Sequence, residues 1–181
     1  MTASTPPHST AQYENSQLVS LQVNGETYEV VTEARRTLAD VLRQDLGLTG
    51  THLACEHGIC GACTVLLDGA PARACLMFAA QAEGSAVRTV ESLADGEELS
   101  DLQQAFSDHH GLQCGFCTSG FLMLAEGFLA ERPEPSRAEI RETVASNLCR
   151  CTGYQTIVDA IEDCATKRRA AFQAQLDGES P

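Results

Sequence analysis

Cys55, Cys60 and Cys63 lie as C-x4-C-x2-C, and Cys75 follows twelve positions on. That spacing is the plant-type [2Fe–2S] ligand pattern. Two irons bridged by two sulfides need four thiolates around a compact body. Three can come from one loop that wraps the cluster; the fourth must reach it from elsewhere. Gly58 and Gly61 stand between the ligands, where a wrapping backbone needs room and access to positive φ. Amide N–H groups of such a loop can point at sulfur and tune the potential.

A second set follows. Cys114-Gly115-Phe116-Cys117 and Cys149-Arg150-Cys151 pair a CxxC with a CxC, offering four more thiolates from two loops. A redox-active CxxC pair belongs in a βαβ context, and nothing strand-like precedes Cys114. Structural zinc also takes four cysteines, though CxC is not a usual zinc spacing. Packing as small apolar side chains does not account for paired spacing. Cys164, the ninth, sits on an apolar helical stripe and reads as a core thiol. His57 lies between ligands, but a Rieske-type site needs two histidines in place of two cysteines, and all four cysteines are present.

The composition bounds the partners. The chain has 181 residues, 43% apolar, with no Trp and a net charge of −13. That length holds one domain or two small ones. The acidity argues against nucleic acid and anionic membrane. Met1 to Gln17 is polar, and Arg35-Arg36 has no apolar segment after it, so neither an export signal nor a membrane span is expected. An odd cysteine count without an export signal also argues against a disulfide framework. No G-x-G-x-x-G after a strand and no P-loop is present.

The elements that must hold these cysteines can be read in order. Residues 1–16 are expected to be disordered. Leu18 to Val23 and Glu26 to Val31 read as strands joined by Asn24-Gly25, a hairpin turn signal. Leu38, Val41, Leu42 and Leu46 make a helical stripe, with Thr37 as N-cap and Gly47 as stop. Strands are expected at Thr64–Leu67, at Ala72–Phe78 carrying Cys75, and at Val87–Val90. After Asp95-Gly96 the period is helical: 102–110, a buried apolar helix over 120–130, a helix from the Ser136/Glu139 capping box to about Leu148, and one over 155–175. His109 and His110 close the first of these. Lys167-Arg168-Arg169 reads as a solvated face or a subunit contact.

Cys55-Glu56-His57-Gly58-Ile59-Cys60-Gly61-Ala62-Cys63-Thr64, Gln113-Cys114-Gly115-Phe116-Cys117 and Asn147-Leu148-Cys149-Arg150-Cys151-Thr152-Gly153-Tyr154, in that order, resemble the iron–sulfur subunit of the xanthine oxidase family of molybdenum hydroxylases. The likeness runs from about Leu18 to Ala170. It implies an α+β chain with a β-grasp, plant-type ferredoxin-like domain (17–93), a four-helix-bundle [2Fe–2S] domain (94–172) and a polar tail (173–181). It implies Cys55, Cys60, Cys63 and Cys75 on one [2Fe–2S] cluster, and Cys114, Cys117, Cys149 and Cys151 on another. Gln113 matches the family's glutamine that bonds the pterin. The implied partners are a large molybdenum subunit carrying molybdopterin, in its cytosine dinucleotide form, and a medium FAD subunit, in a cytoplasmic dimer of heterotrimers. Electrons would enter at the second cluster and leave from the first. The implied substrates are N-heterocycles or purines, with carbon monoxide, aldehydes or aryl-CoA thioesters as alternatives. A free two-cluster ferredoxin and a structural zinc protein are the rivals. One departure is Ser119, where many relatives carry proline; Thr118 and Ser119 are expected to cap the helix instead.

Overall fold

The computed structural model describes residues 15–178. The expected disordered extension therefore lies outside the described residues except at its end, where Ser16 already opens a strand. A five-stranded mixed sheet is ordered β2-β1-β5-β3-β4. Its strands are β1 (Ser16–Val23), β2 (Glu26–Glu33), β3 (Thr64–Leu67), β4 (Ala70–Arg73) and β5 (Ala86–Arg88). Only β1 and β5 run parallel. Both hairpins turn in two residues with positive φ throughout, at Asn24-Gly25 (53°, 86°) and Asp68-Gly69 (50°, 85°). These are primed turns, whose twist matches the strands they join. Asn24 and Asp68 also bond the backbone at either end of β5, at Thr89 and Ala86, and so seat that strand.

The stripe at 38–46 forms α1 (Leu38–Asp40), which widens into a π-helical turn, Val41–Asp45. Thr37 caps it as expected, in a reciprocal box with Asp40. Leu38, Ala39, Val41 and Leu42 are buried against Val19, Leu21 and Val65 of the sheet.

Four helices follow: α2 (Asp101–Asp108), α3 (Thr118–Glu131), α4 (Arg137–Val144) and α5 (Gln155–Gly178). A second core, with Leu102, Phe106, Phe121, Ile140, Ile157 and Ile161, lies among them. The Ser136/Glu139 box opens α4 as predicted. That helix stops at Val144 rather than Leu148, because the amide of Leu148 bonds a distant carbonyl instead of a helical one. α5 runs past residue 172, where the tail was placed, since Ala, Gln and Leu there favour helix and no proline intervenes. Its basic run is engaged rather than merely solvated: Lys167 pairs with Asp163 (2.7 Å), and Arg168 with Asp101 (2.6 Å) and Glu126 (2.9 Å). His109 pairs with Asp163 at 3.2 Å. No helix among the described residues is long and apolar enough to cross a membrane.

Candidate iron–sulfur sites

The first loop lies between the π-helical turn and β3. The β3–β4 hairpin brings the fourth cysteine of the set, Cys75, to the loop. Thr64 pairs with Arg73, and the amide of Ala74 bonds the carbonyl of Cys63 at 3.2 Å, so the ladder brings Cys75 beside Cys63. Cys75 was expected within a strand. It sits instead on a 3₁₀ turn, Ala74–Leu76, which rotates its thiol off the ladder and toward the loop. Burial pushes the Cys63 thiol up to about 12, with Cys75 as its hydrogen-bonding neighbour. At the open end of the loop the amides of Cys60 (3.3 Å) and His57 (3.4 Å) donate to Cys55 Sγ. These donors lower the Cys55 pKa to about 6. His57 thus contributes its backbone, while its Nδ1 faces the carbonyl of Glu56 at 3.1 Å.

The second set gathers where the start of α3 meets the α4–α5 loop. Cys117 is the N-cap of α3 but makes no side-chain cap bond. Neither Thr118 nor Ser119 caps that helix: Thr118 Oγ1 is buried without a partner, and Ser119 Oγ lies 3.4 Å from His52 Nδ1. Both residues lie inside the helix, past the N-cap position from which a side chain satisfies the free amides. Cys117 neighbours Cys149, and Cys114 neighbours Cys151. Burial raises the Cys117 thiol to about 12. Burial also acts on Cys149, but the Thr152 hydroxyl (3.2 Å) and amide (3.4 Å) outweigh it and lower its pKa.

In each set the thiols approach as two pairs. Two pairs suit a binuclear cluster, in which each iron takes two thiolates and two bridging sulfides. The donor set is all sulfur, amides aim at it, and a side chain at Gly61 would collide with the next loop. On these grounds the residues fit two [2Fe–2S] groups.

The two loops hold each other. Leu148 N–H donates to the Cys60 carbonyl at 2.9 Å. Asn147, 1% exposed, donates from Nδ2 to the Gly61 carbonyl at 3.3 Å. A Cβ on Gly61 would fall 2.0 Å from Asn147 Oδ1, and φ there is +72°. A Cβ on Gly120, in α3, would fall 2.2 Å from the Gly61 carbonyl, so only glycine lets the helix lie on the loop. Tyr154 Oη accepts from the Cys149 amide (3.0 Å) and donates to the Asn147 carbonyl (3.1 Å). Arg73 bridges Thr64 and the Ser146 carbonyl. A groove of about 280 Å³ remains between the loops, lined by Cys60, Ala62, Cys114, Phe116, Leu148 and Cys151 among others. Gln113 is exposed and donates to the Cys151 carbonyl at 3.2 Å.

His52, Asn147, Tyr154 and Arg73 had no assigned role from sequence. Asn147 and Tyr154 flank the CxC pair within the quoted motif, which was the available signal. His52 and Arg73 carried none.

Residues 21–106 match the family profile "2Fe-2S iron-sulfur cluster binding domain", and residues 89–162 match "[2Fe-2S] binding domain". The nicotine 6-hydroxylase small subunit of Paenarthrobacter nicotinovorans is 57% identical over 80% of this chain and 87% of its own. Caffeine dehydrogenase subunit gamma of Pseudomonas sp. (strain CBB1) is 52% identical over 90% of this chain and 99% of its own. This chain belongs to the xanthine oxidase family of molybdenum hydroxylases, as an iron–sulfur subunit. In solved form, quinoline 2-oxidoreductase from Pseudomonas putida 86 matches it with a TM-score of 0.83 and 52% identity, over 87% of this chain and 98% of that one. As an iron–sulfur subunit of this family, the chain is a non-catalytic, electron-transferring part of an oxidoreductase.

Proposed function

We propose that this chain relays electrons from a large molybdopterin-binding subunit to a medium FAD-binding subunit, through two [2Fe–2S] clusters. Cys114, Cys117, Cys149 and Cys151 hold the entry cluster; Cys55, Cys60, Cys63 and Cys75 hold the exit cluster. When bound, each cluster stores one electron. The observation that carries this reading is the mutual seating of the two thiol sets, with the Cys60 carbonyl bonded to the residue before Cys149. Two sites that merely stabilised two domains would not need that contact.

Gln113, exposed beside Cys151, is the residue we assign to the pterin, in its cytosine dinucleotide form. The finer architecture in this reading is a β-grasp domain dividing near residue 93 from a four-helix bundle, working in a cytoplasmic dimer of heterotrimers. Relatives named for nicotine, caffeine and quinoline support a nitrogen heterocycle as substrate.

The test uses the purified complex. Iron should reach four per copy of this chain, and EPR of the reduced complex should show two [2Fe–2S] signals. Cys114→Ser should remove or alter one signal and leave the other. Two irons per chain, zinc in their place, or loss of both signals with the fold intact overturns the ligand assignment.

A further inference from the structure

His52 lies three residues before Cys55, yet its ring serves the other loop. Its Nδ1 is 2.7 Å from the carbonyl oxygen of Phe116. A carbonyl only accepts, so Nδ1 carries the proton. The imidazole stacks on the Phe116 ring, with centroids 4.9 Å apart and planes 17° apart. Ser119 Oγ, at 3.4 Å from the same nitrogen, is a weaker second neighbour.

The Phe116 carbonyl and the Cys117 amide are two ends of one peptide group, and that amide belongs to the same residue as Cys117 Sγ. A hydrogen bond into the carbonyl end polarises the peptide and makes its N–H end more positive. Positive charge beside cluster sulfur favours the more negative, reduced state and so raises the potential. We propose that His52 is a positioning residue for the entry cluster: from the first domain it fixes the Phe116–Cys117 peptide and raises that cluster's potential. The inference rests on Cys117 being a ligand of that cluster.

Three variants of the whole complex separate the contributions. His52→Phe keeps a ring to stack and loses the donor. His52→Asn keeps an N–H close to the Nδ1 position and loses the ring. His52→Ala loses both. Redox titration followed by EPR reads each cluster separately. His52→Phe and His52→Ala should move the entry cluster to lower potential and alter its g-values, with the exit cluster unmoved. His52→Asn should recover most of the wild-type midpoint. An unmoved entry cluster in His52→Phe overturns the proposal. So does an equal shift of both clusters, or a His52→Asn complex no closer to wild type than His52→Ala. The Cys114→Ser complex identifies which signal is the entry cluster. If it alters neither signal, the ligand assignment falls, whatever the His52 variants do.

Discussion

The amide of Leu148 donates to the carbonyl of Cys60 across 2.9 Å, joining two residues 88 positions apart. One is a candidate ligand of the exit cluster; the other precedes a candidate ligand of the entry cluster. Side chains around this bond make the remaining connections, and they can be tested singly.

Gly120→Ala is the sharpest packing test. Alanine in a helix interior is normally favoured over glycine by about 1 kcal/mol. Here the added methyl would meet the Gly61 carbonyl, a backbone atom, at 2.2 Å. Overpacking of this kind costs about 1–3 kcal/mol. The complex should therefore bleach its iron–sulfur absorbance at a lower temperature than wild type. An unchanged or higher bleaching temperature would show that the loop gives way without cost.

Tyr154→Phe removes one hydroxyl and leaves the ring, which packs edge-on against Phe121 at 6.1 Å. It strips the Cys149 amide and the Asn147 carbonyl of a partner. Each group left unsatisfied costs about 1–3 kcal/mol. EPR should show a broadened or shifted entry-cluster signal and an unaltered exit-cluster signal.

Asp101→Asn tests the ties on α5. Arg168 forks onto Asp101 and also reaches Glu126, linking α5 to α2 and α3. The Arg168 guanidinium holds the Asp101 carboxyl below its ordinary pKa. A depressed carboxylate stabilises the fold above its unfolded pKa, about 3.9, and that contribution is lost as pH falls through the folded value. Both groups are partly exposed, so the discounted contribution is about 1 kcal/mol. The variant's thermal midpoint should trail wild type by a constant gap from pH 8 to pH 5. A gap that closes within that window would point to a different titrating group.

Cys164→Ala separates the ninth cysteine from the other eight. Cys164 is fully buried, and burial raises its thiol to about 12. Iron content and both EPR signals should match wild type. Loss of the buried sulfur should cost roughly 1 kcal/mol, the usual size for a small core truncation. A fall in iron content would make it a ligand or a ligand's support.

Local chemistry was legible in the chain. Asn24-Gly25 and Asp68-Gly69 dictate their own turns, and Thr37 and Ser136 each find a cap partner three residues on. The apolar stretch around Phe121 became the buried α3. What could not be read depends on contacts between distant residues. Cys75 sits in a β-rich run, yet the chain turns there to aim the thiol. α4 ends early because Leu148 answers Cys60. His52, Arg73 and Asn147 act across domains, and a hydrogen bond between remote residues leaves no period in the sequence. The cysteine spacings were visible because candidate cluster chemistry constrains residue type at each position; the groups that hold those loops together are constrained only by shape.

The contact of Gly61 with Gly120 also bears on speed. A carrier that swung one domain against the other could adjust its rate by opening and closing a gap. Here helix backbone lies on loop backbone, with no side chain between to act as a hinge or cushion. In the proposed relay this packing sets the tunnelling distance inside the subunit, and leaves the relative driving force of the two centres as the chief means of changing the traffic between them.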